Sequence, residues 1–226
     1  SNSYHPVREY LNHLDWDRTP RVRFALHHFL GAESCDLNEE LLRLFMLGAV
    51  TRIFQPGCKF DMMLCLTGGQ GAGKSSFFRF LAGNDEWFSD DLRKLDDENV
   101  YRRIMGHWII EMSEMMATGN AKNVEEIKSF LSRQEDTYKV PYDKFPADRP
   151  RQCVFAGTSN KLDFLPHDRS GNRRFLPIRI DPGKAEVHIL ADQQASRAYF
   201  NQMWAEIMVI VPANTRYNSL RKHPSN

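Results

Sequence analysis

The chain has 226 residues, of which 42% are hydrophobic and 26% are charged, and its net charge at neutral pH is +1. These values are typical of a globular protein, and a charge so close to zero gives no overall argument for binding nucleic acid or a membrane, so charge has to be considered locally. We find no apolar stretch long enough to span a bilayer, no leader sequence and no metal-ligand spacing among the four cysteines. The sequence therefore predicts a cytoplasmic protein with reduced thiols, and we expect it to be a piece of a longer protein.

The first sixty residues show helical periodicity. Val7 and Leu11 share one face before a break at residues 16–20, and a second amphipathic segment at 22–30 stops at Gly31. A third helix is predicted over 39–54, with Asn38 as its N-cap. Its predicted buried face consists of Leu41, Leu42, Leu44, Phe45, Leu47 and Val50. We therefore predict an N-terminal helical domain over residues 1–60.

From residue 60 onward, short apolar segments alternate with helical ones. Strands are predicted at 62–66, 108–111, 153–157 and 175–180, helices at 74–82, 122–132 and 195–211, and a polar hairpin at 135–151. This alternation favours an α/β fold with a core of mainly parallel strands flanked by helices. We assign that core to residues 61–184 and a C-terminal helix and tail to 185–226.

The most informative motif follows the first predicted strand. Residues 68–75 match G-x-x-x-x-G-K-[ST], a loop whose backbone N–H groups surround a polyphosphate at the start of a helix. Lys74 is expected to reach the β- and γ-phosphates, and the Ser75 hydroxyl is expected to bind Mg²⁺. The motif predicts a site for a nucleoside triphosphate, with ATP and Mg²⁺ as the expected ligands. The predicted binding residues are Gly68, Gly69, Gln70, Gly71, Ala72, Gly73, Lys74, Ser75 and Ser76.

Hydrolysis of the triphosphate would require further groups, and the ends of later strands offer candidates. Glu111 ends an apolar strand and Glu114 follows it, so one can hold the metal while the other polarises water, although Glu114 could instead face solvent. Asn160, after the next strand, can sense the γ-phosphate. Arg173 and Arg174 are candidates for an arginine finger that serves a neighbouring subunit, the alternative for each being a surface salt bridge.

Residues 160–163 point to a different class of protein. Their sequence, Asn-Lys-Leu-Asp, matches the N-K-x-D motif that reads guanine in GTPases. A GTPase should also carry D-x-x-G at its metal-binding strand, whereas residues 111–114 contain no glycine. We interpret the match as accidental and keep a GTPase switch as an alternative. A second alternative is a nucleotide-gated module that binds DNA or protein without hydrolysing the nucleotide.

Residues 128–179 carry a local excess of positive charge. They contain eleven Lys or Arg and six Asp or Glu, and three aromatic residues lie among the lysines of the predicted hairpin. This combination suits contacts to the backbone of single-stranded DNA with some base stacking, although a solvated hairpin is the alternative. The candidate DNA-binding residues are Lys139, Tyr142 and Lys144.

The order of these motifs resembles that of the virulence-associated protein E family, P-loop ATPases of phages and genomic islands that are similar to superfamily 3 helicases. The resemblance is carried by residues 10–17, 56–61, 68–75, 108–114, 127–131, 136–142, 157–160 and 171–175. Two departures are a glutamate in place of the metal-binding aspartate and Lys139 in place of an arginine.

This resemblance implies that residues 61–184 form a P-loop NTPase core of the AAA+-like, superfamily 3 helicase type. It also implies an ATP-driven motor for replicating a phage or mobile element, a hexameric ring that moves along single-stranded DNA. In that scheme Lys74 and Ser75 are the Walker A residues, Glu111 and Glu114 the Walker B residues, and Asn160 is sensor 1. Arg173 or Arg174 then acts across a subunit interface, and the predicted hairpin lines the pore. A primase or origin-binding domain would belong to the full-length protein.

Overall fold

The structure is a computed structural model that describes residues 5–95, 99–113, 121–161 and 174–217. It begins with three helices, α1 (Pro6–Asn12), α2 (Val22–Leu30) and α3 (Asp36–Phe54). Helix α2 ends as predicted, because Gly31 adopts the left-handed conformation (φ 66°) and its N–H bonds back to the last turn.

The start of α3 differs from the prediction. The helix begins at Asp36, so Asn38 lies inside its first turn and donates its side-chain N–H to Glu33 O (2.9 Å) instead of capping the helix. Asp36 and Glu39 place negative charge beside the positive end of the helix, which favours the earlier start. Leu44 was also wrongly placed in the buried face, since 38% of it is exposed.

The centre of the molecule is a five-stranded parallel sheet. Its strands are β1 (Met63–Thr67), β2 (Phe88–Ser89), β3 (Ile109–Met112), β6 (Val154–Ser159) and β7 (Phe175–Arg179), and a separate antiparallel pair consists of β4 (Glu135–Tyr138) and β5 (Ala147–Pro150). The order across the large sheet is β2-β3-β6-β1-β7. All residues of β1, β3 and β6 are buried, as expected of parallel strands covered on both faces. The predicted α/β fold with a mainly parallel sheet is confirmed.

Five further helices surround this sheet within the described ranges. They are α4 (Lys74–Leu81), α5 (Val100–Ile104), α6 (Ala121–Leu131), α7 (Gln193–Ile210) and α8 (Ala213–Tyr217). Apart from the start of α3, which lies three residues earlier than predicted, the predicted strands and longer helices are present with their ends shifted by at most two residues, whereas β2, α5 and α8 were not predicted. No helix of the described ranges is both long and apolar enough to cross a membrane.

Aromatic side chains connect the N-terminal helices to the sheet. Phe29 of α2 stacks on Phe200 of α7 with ring centroids 5.2 Å apart, and Trp108 packs on Trp204 at 4.5 Å. Both indole N–H groups are satisfied, since Trp108 donates to Ala49 O (3.0 Å) and Trp204 donates to Leu81 O (2.7 Å). The helices of residues 6–54 thus share one apolar cluster with β1, α4 and α7. The domain boundaries at residues 60 and 184 stay predictions.

The antiparallel hairpin is fixed to the core by a buried arginine. Arg151 donates from Nε and Nη2 to the two carboxylate oxygens of Asp136 (2.8 and 3.0 Å) and from Nη1 to Phe130 O (2.7 Å). Its guanidinium also lies 4.4 Å from the centre of the Phe130 ring, and its side chain is completely buried. Because Arg151 lies between β5 and β6, it holds the base of the hairpin at the amino end of β6.

Candidate functional site

The loop of residues 68–73 joins β1 to α4 at the carboxyl edge of the sheet. Gly73 is the N-cap of α4 and adopts φ 91°, and Gly71 adopts φ 76°. A Cβ at Gly73 would lie 2.9 Å from Cγ2 of Ile189, so both backbone angle and space favour glycine there. The loop therefore turns tightly and directs the positive end of α4 toward the space above the sheet.

Lys74, the first residue of α4, turns back under this loop. Its ammonium donates to Gly68 O (2.8 Å), Gly69 O (2.7 Å) and Asn160 Oδ1 (3.1 Å). Burial lowers the pKa of Lys74, and the nearby Glu111 carboxylate opposes that shift. The structure thus brings two predicted site residues, Lys74 and Asn160, into direct contact across the sheet edge.

Glu111 lies beside the lysine and is fully buried. Its Oε1 accepts hydrogen bonds from Ser75 Oγ (2.7 Å) and Thr158 Oγ1 (2.5 Å), whereas its buried Oε2 has no hydrogen-bond partner among the described residues. Burial raises the pKa of Glu111, and the two hydroxyl donors counteract the rise. The prediction missed Thr158, whose contact arises because β3 and β6 are neighbours in register.

Lys74, Ser75, Thr158 and Asn160 line a cleft of about 570 Å³, within the size range of small-molecule sites. Its walls are residues 70–76, Ser113, residues 158–161 and two residues from far along the chain, His188 and Leu190. Nothing in the sequence pattern pointed to the last two, because they lie in an irregular segment that carries no motif.

The residues present fit a magnesium ion. Ser75 and Glu111 supply the hard oxygen ligands that Mg²⁺ prefers, and the unpartnered Oε2 leaves one acceptor free for a metal-bound water. The described ranges contain no cluster of three or more His, Cys, Asp or Glu that could hold a metal by itself. Mg²⁺ is usually bound by one or two side chains together with substrate phosphates, which is the arrangement available here.

The remaining predicted site residues are only partly described. Arg174 donates from Nε to Asp61 Oδ2 (3.1 Å) and from Nη1 to Lys128 O (3.2 Å), so in this chain it forms an intramolecular ion pair. Glu114 and Arg173 lie outside the described residues, as do the last two residues of the N-K-x-D match. The arginine-finger and second-glutamate roles stay predictions.

The candidate DNA-binding residues lie on the segment that connects β4 to β5. Lys139, Tyr142 and Lys144 are all exposed, and Tyr142 is completely so, with a left-handed φ of 76°. Phe145 beside them is 77% exposed. The base of this hairpin is at the amino end of β6, so the hairpin and the loop of residues 68–73 lie toward opposite edges of the sheet.

Three solved structures of the NrS-1 C-terminal region share this fold. One, an A form apo structure, is 15% identical to this chain with a TM-score of 0.62, and the match covers 91% of this chain and 50% of that structure. Two structures of residues 305–718 are also 15% identical. One has a TM-score of 0.57 and covers 95% and 54% of the two chains, and the other has a TM-score of 0.55 and covers 91% and 49%. The chain thus spans about half the length of these structures.

Among curated proteins no sequence matches the chain. The family model of the virulence-associated protein E-like domain, in contrast, matches residues 11–224, nearly the whole sequence. That match covers every site residue described above and agrees with the resemblance carried by the motifs. The chain therefore belongs to the virulence-associated protein E-like domain family.

Proposed function

We propose that this chain is a DNA-dependent ATPase, the P-loop motor of a superfamily 3-like helicase that replicates a phage or mobile element. The observation that carries the proposal is the buried carboxylate of Glu111, which holds Ser75 at the start of α4 while Lys74 lies beneath the glycine-rich loop. A buried acid, a hydroxyl and an ammonium at the positive end of a helix are the groups that a Mg²⁺-bound triphosphate requires.

The loop and Lys74 bind the phosphates in this proposal. The ammonium now donates to two loop carbonyls and to Asn160, and phosphate oxygens would replace some of these acceptors when ATP binds. Because Lys74 is 7% exposed, its charge is weakly screened and favours the polyphosphate strongly. Lys74 therefore contributes both to binding and to stabilising the charge that develops on the γ-phosphate.

Ser75 and Glu111 would hold Mg²⁺, which supplies positive charge to the β- and γ-phosphates when bound. Asn160, in contact with Lys74, is placed at the phosphate end of the cleft, where its amide can orient the attacking water. This position favours the sensor role over guanine reading. With Glu111 on the metal, Glu114 would polarise the attacking water, and Arg173 or Arg174 of a neighbouring subunit would complete the site.

In this proposal single-stranded DNA binds to the hairpin formed by β4 and β5. Lys139 and Lys144 provide charge for the DNA backbone, and the fully exposed Tyr142 ring provides a surface for base stacking. We propose a hexameric ring with the hairpins directed into its pore, and a primase or origin-binding domain elsewhere in the full-length protein. The role in replication rests on the resemblance of the motifs to the virulence-associated protein E family, and membership of the virulence-associated protein E-like domain family supports it.

The test is the rate of ATP hydrolysis with and without single-stranded DNA. Lys74→Ala should lower the rate at least about 100-fold, the cost of removing one preorganised donor from a reacting centre. Lys184→Ala is the matched control, because that lysine is 74% exposed and lies outside the cleft. Normal hydrolysis by Lys74→Ala would overturn the proposal, and ATP binding without any hydrolysis would favour the nucleotide-gated binding module.

The DNA assignment is tested separately. Replacing Lys139, Tyr142 and Lys144 together by alanine should abolish stimulation by single-stranded DNA and leave the basal ATPase rate within about twofold, because the hairpin lies away from the cleft. Stimulation that survives this triple substitution would exclude the hairpin as the DNA contact.

A further inference from the structure

Resting on the proposed function, we infer that residues 188–190 form the subsite for the base of the nucleotide, with the His188 ring stacking on a purine. The first argument is the composition of the cleft. Nearly all of its wall consists of loop backbone, hydroxyl groups, amides and lysines, which suit phosphates and ribose. Among the described residues of that wall, His188 supplies the only ring and Leu190 the only large aliphatic side chain.

The segment is fixed directly against the phosphate-binding loop. Ile189, which is fully buried, packs beside Gly73 so closely that a Cβ there would lie 2.9 Å from its Cγ2. Ser196 Oγ of α7 donates to Ile189 O (2.7 Å) within the core. The two residues that flank this buried anchor, His188 and Leu190, both line the cleft. A base held by them would lie next to phosphates held by the loop.

The ring of His188 is held in one orientation before any nucleotide binds. The backbone N–H of Leu190 donates to His188 Nδ1 (3.1 Å), and that of Ala191 donates to His188 O (2.9 Å). On the amino side, the N–H groups of Glu186 and Val187 both donate to His28 O (3.0 and 3.2 Å). Preorganisation of this kind lowers the entropy lost on binding.

The chemistry of these two side chains favours a purine. With Nδ1 accepting an N–H, the neutral ring carries its proton on Nε2 and presents a flat face and one donor. Leu190 is 41% exposed, and an aromatic base is a suitable partner to cover it. A purine offers a larger stacking face than a pyrimidine, so the His188 ring should favour a purine.

The experiment compares the binding of ATP, CTP and inorganic tripolyphosphate to the full chain by calorimetric titration with Mg²⁺. The wild-type chain should bind ATP more tightly than CTP, and both more tightly than tripolyphosphate. His188→Ala should weaken ATP binding about tenfold, consistent with the loss of one stacked base, and leave tripolyphosphate binding unchanged. His188→Phe, which keeps the ring, should bind ATP within about threefold of wild type.

His13→Ala is the matched control, because that histidine is exposed at the end of α1 and should not affect either ligand. The base subsite is refuted if the wild-type chain binds ATP no better than tripolyphosphate. It is also refuted if His188→Ala weakens both equally, or if His188→Phe binds ATP as weakly as His188→Ala. In each of these cases the phosphate site survives, whereas a wild-type chain that binds none of the ligands overturns the proposed function and the subsite together.

Discussion

Replacing Asp136 by alanine should destabilise the protein much more than replacing Asp143, although both carboxylates pair with an arginine at the same hairpin. Asp136 accepts two hydrogen bonds from Arg151, whose side chain is fully buried. Asp143 accepts one hydrogen bond from Arg149 (3.0 Å), and both members of that pair are substantially exposed, at 35% and 44%. Each substitution therefore removes one aspartate carboxylate, in one case from a buried ion pair and in the other from a partly exposed ion pair.

The expected loss of stability in each variant follows from how deeply its ion pair is buried. Without Asp136, the Arg151 guanidinium keeps Phe130 O and the faces of Phe130 and Phe155, but it retains a buried charge with no counterion. Removing one partner of a buried pair costs about 3–5 kcal/mol, whereas a partly exposed pair is worth about 0.2–1 kcal/mol. For a chain of this length, Asp136→Ala should lower Tm by about 6–20 °C, and Asp143→Ala by no more than about 4 °C.

Urea unfolding followed by tryptophan fluorescence measures both free energies of unfolding, because Trp108 and Trp204 pack against each other in the core and report its loss. A second variant, Asp136→Ala with Arg151→Met, should recover much of the lost stability, since an apolar side chain needs no counterion. Equal losses for the two single variants, or no recovery in the double variant, would refute the reasoning that an uncompensated charge is responsible.

Two further predictions concern the site. Thr158→Val removes one of the two hydroxyls that lower the pKa of Glu111, so that pKa should rise further. The acidic limb of the ATPase pH profile should then move to higher pH. A limb that stays at the same pH, or moves to lower pH, would contradict this prediction. Gly73→Ala should lower nucleotide affinity at least about tenfold, because a Cβ there has a strained backbone angle and meets Ile189, whereas Gly69→Ala, whose Cβ meets no atom of the protein, should lower it much less. Calorimetric titration of ATP distinguishes the two variants, and equal affinities would show that the loop tolerates the strain.

Local signals allowed the central part of the fold to be predicted from the sequence. The strand, loop and helix at residues 63–81 were each predicted to within one residue, because an apolar run, closely spaced glycines and the start of a helix are all encoded by neighbouring residues. The left-handed Gly31 marked the end of α2 in the same way. The cap of α3 was predicted wrongly, since Asn38 satisfies the cap pattern but bonds back to Glu33 O instead.

The elements that the sequence did not indicate are those that tertiary contacts create. Strand β2 has two residues and α5 has five, too few for either periodicity to emerge. The order of the strands in the sheet could not be predicted either, because it depends on which strands pack together and not on their composition. Short segments of this kind form only when the rest of the sheet is present.

In the candidate site, too, residues with local sequence signals could be predicted, whereas residues placed by tertiary contacts could not. Lys74, Ser75, Glu111 and Asn160 were predicted from motifs and strand ends, and the structure brings them together, while their catalytic roles stay predictions. Thr158 could not be assigned to the Glu111 carboxylate without knowing that β6 lies beside β3. His188 lies more than a hundred residues from the loop, and only the packing of Ile189 on Gly73 brings it to the cleft.

Strand β6 connects the hairpin directly to residues of the candidate site. Its carboxyl end carries Thr158 and leads to Asn160, and its amino end follows Arg151, which holds the hairpin. Six extended residues span about 20 Å, and a fully extended backbone cannot lengthen further. Between the hairpin and the residues beside Glu111 and Lys74, the backbone therefore consists of one extended strand and the three residues before it, of which Arg151 and Cys153 are buried.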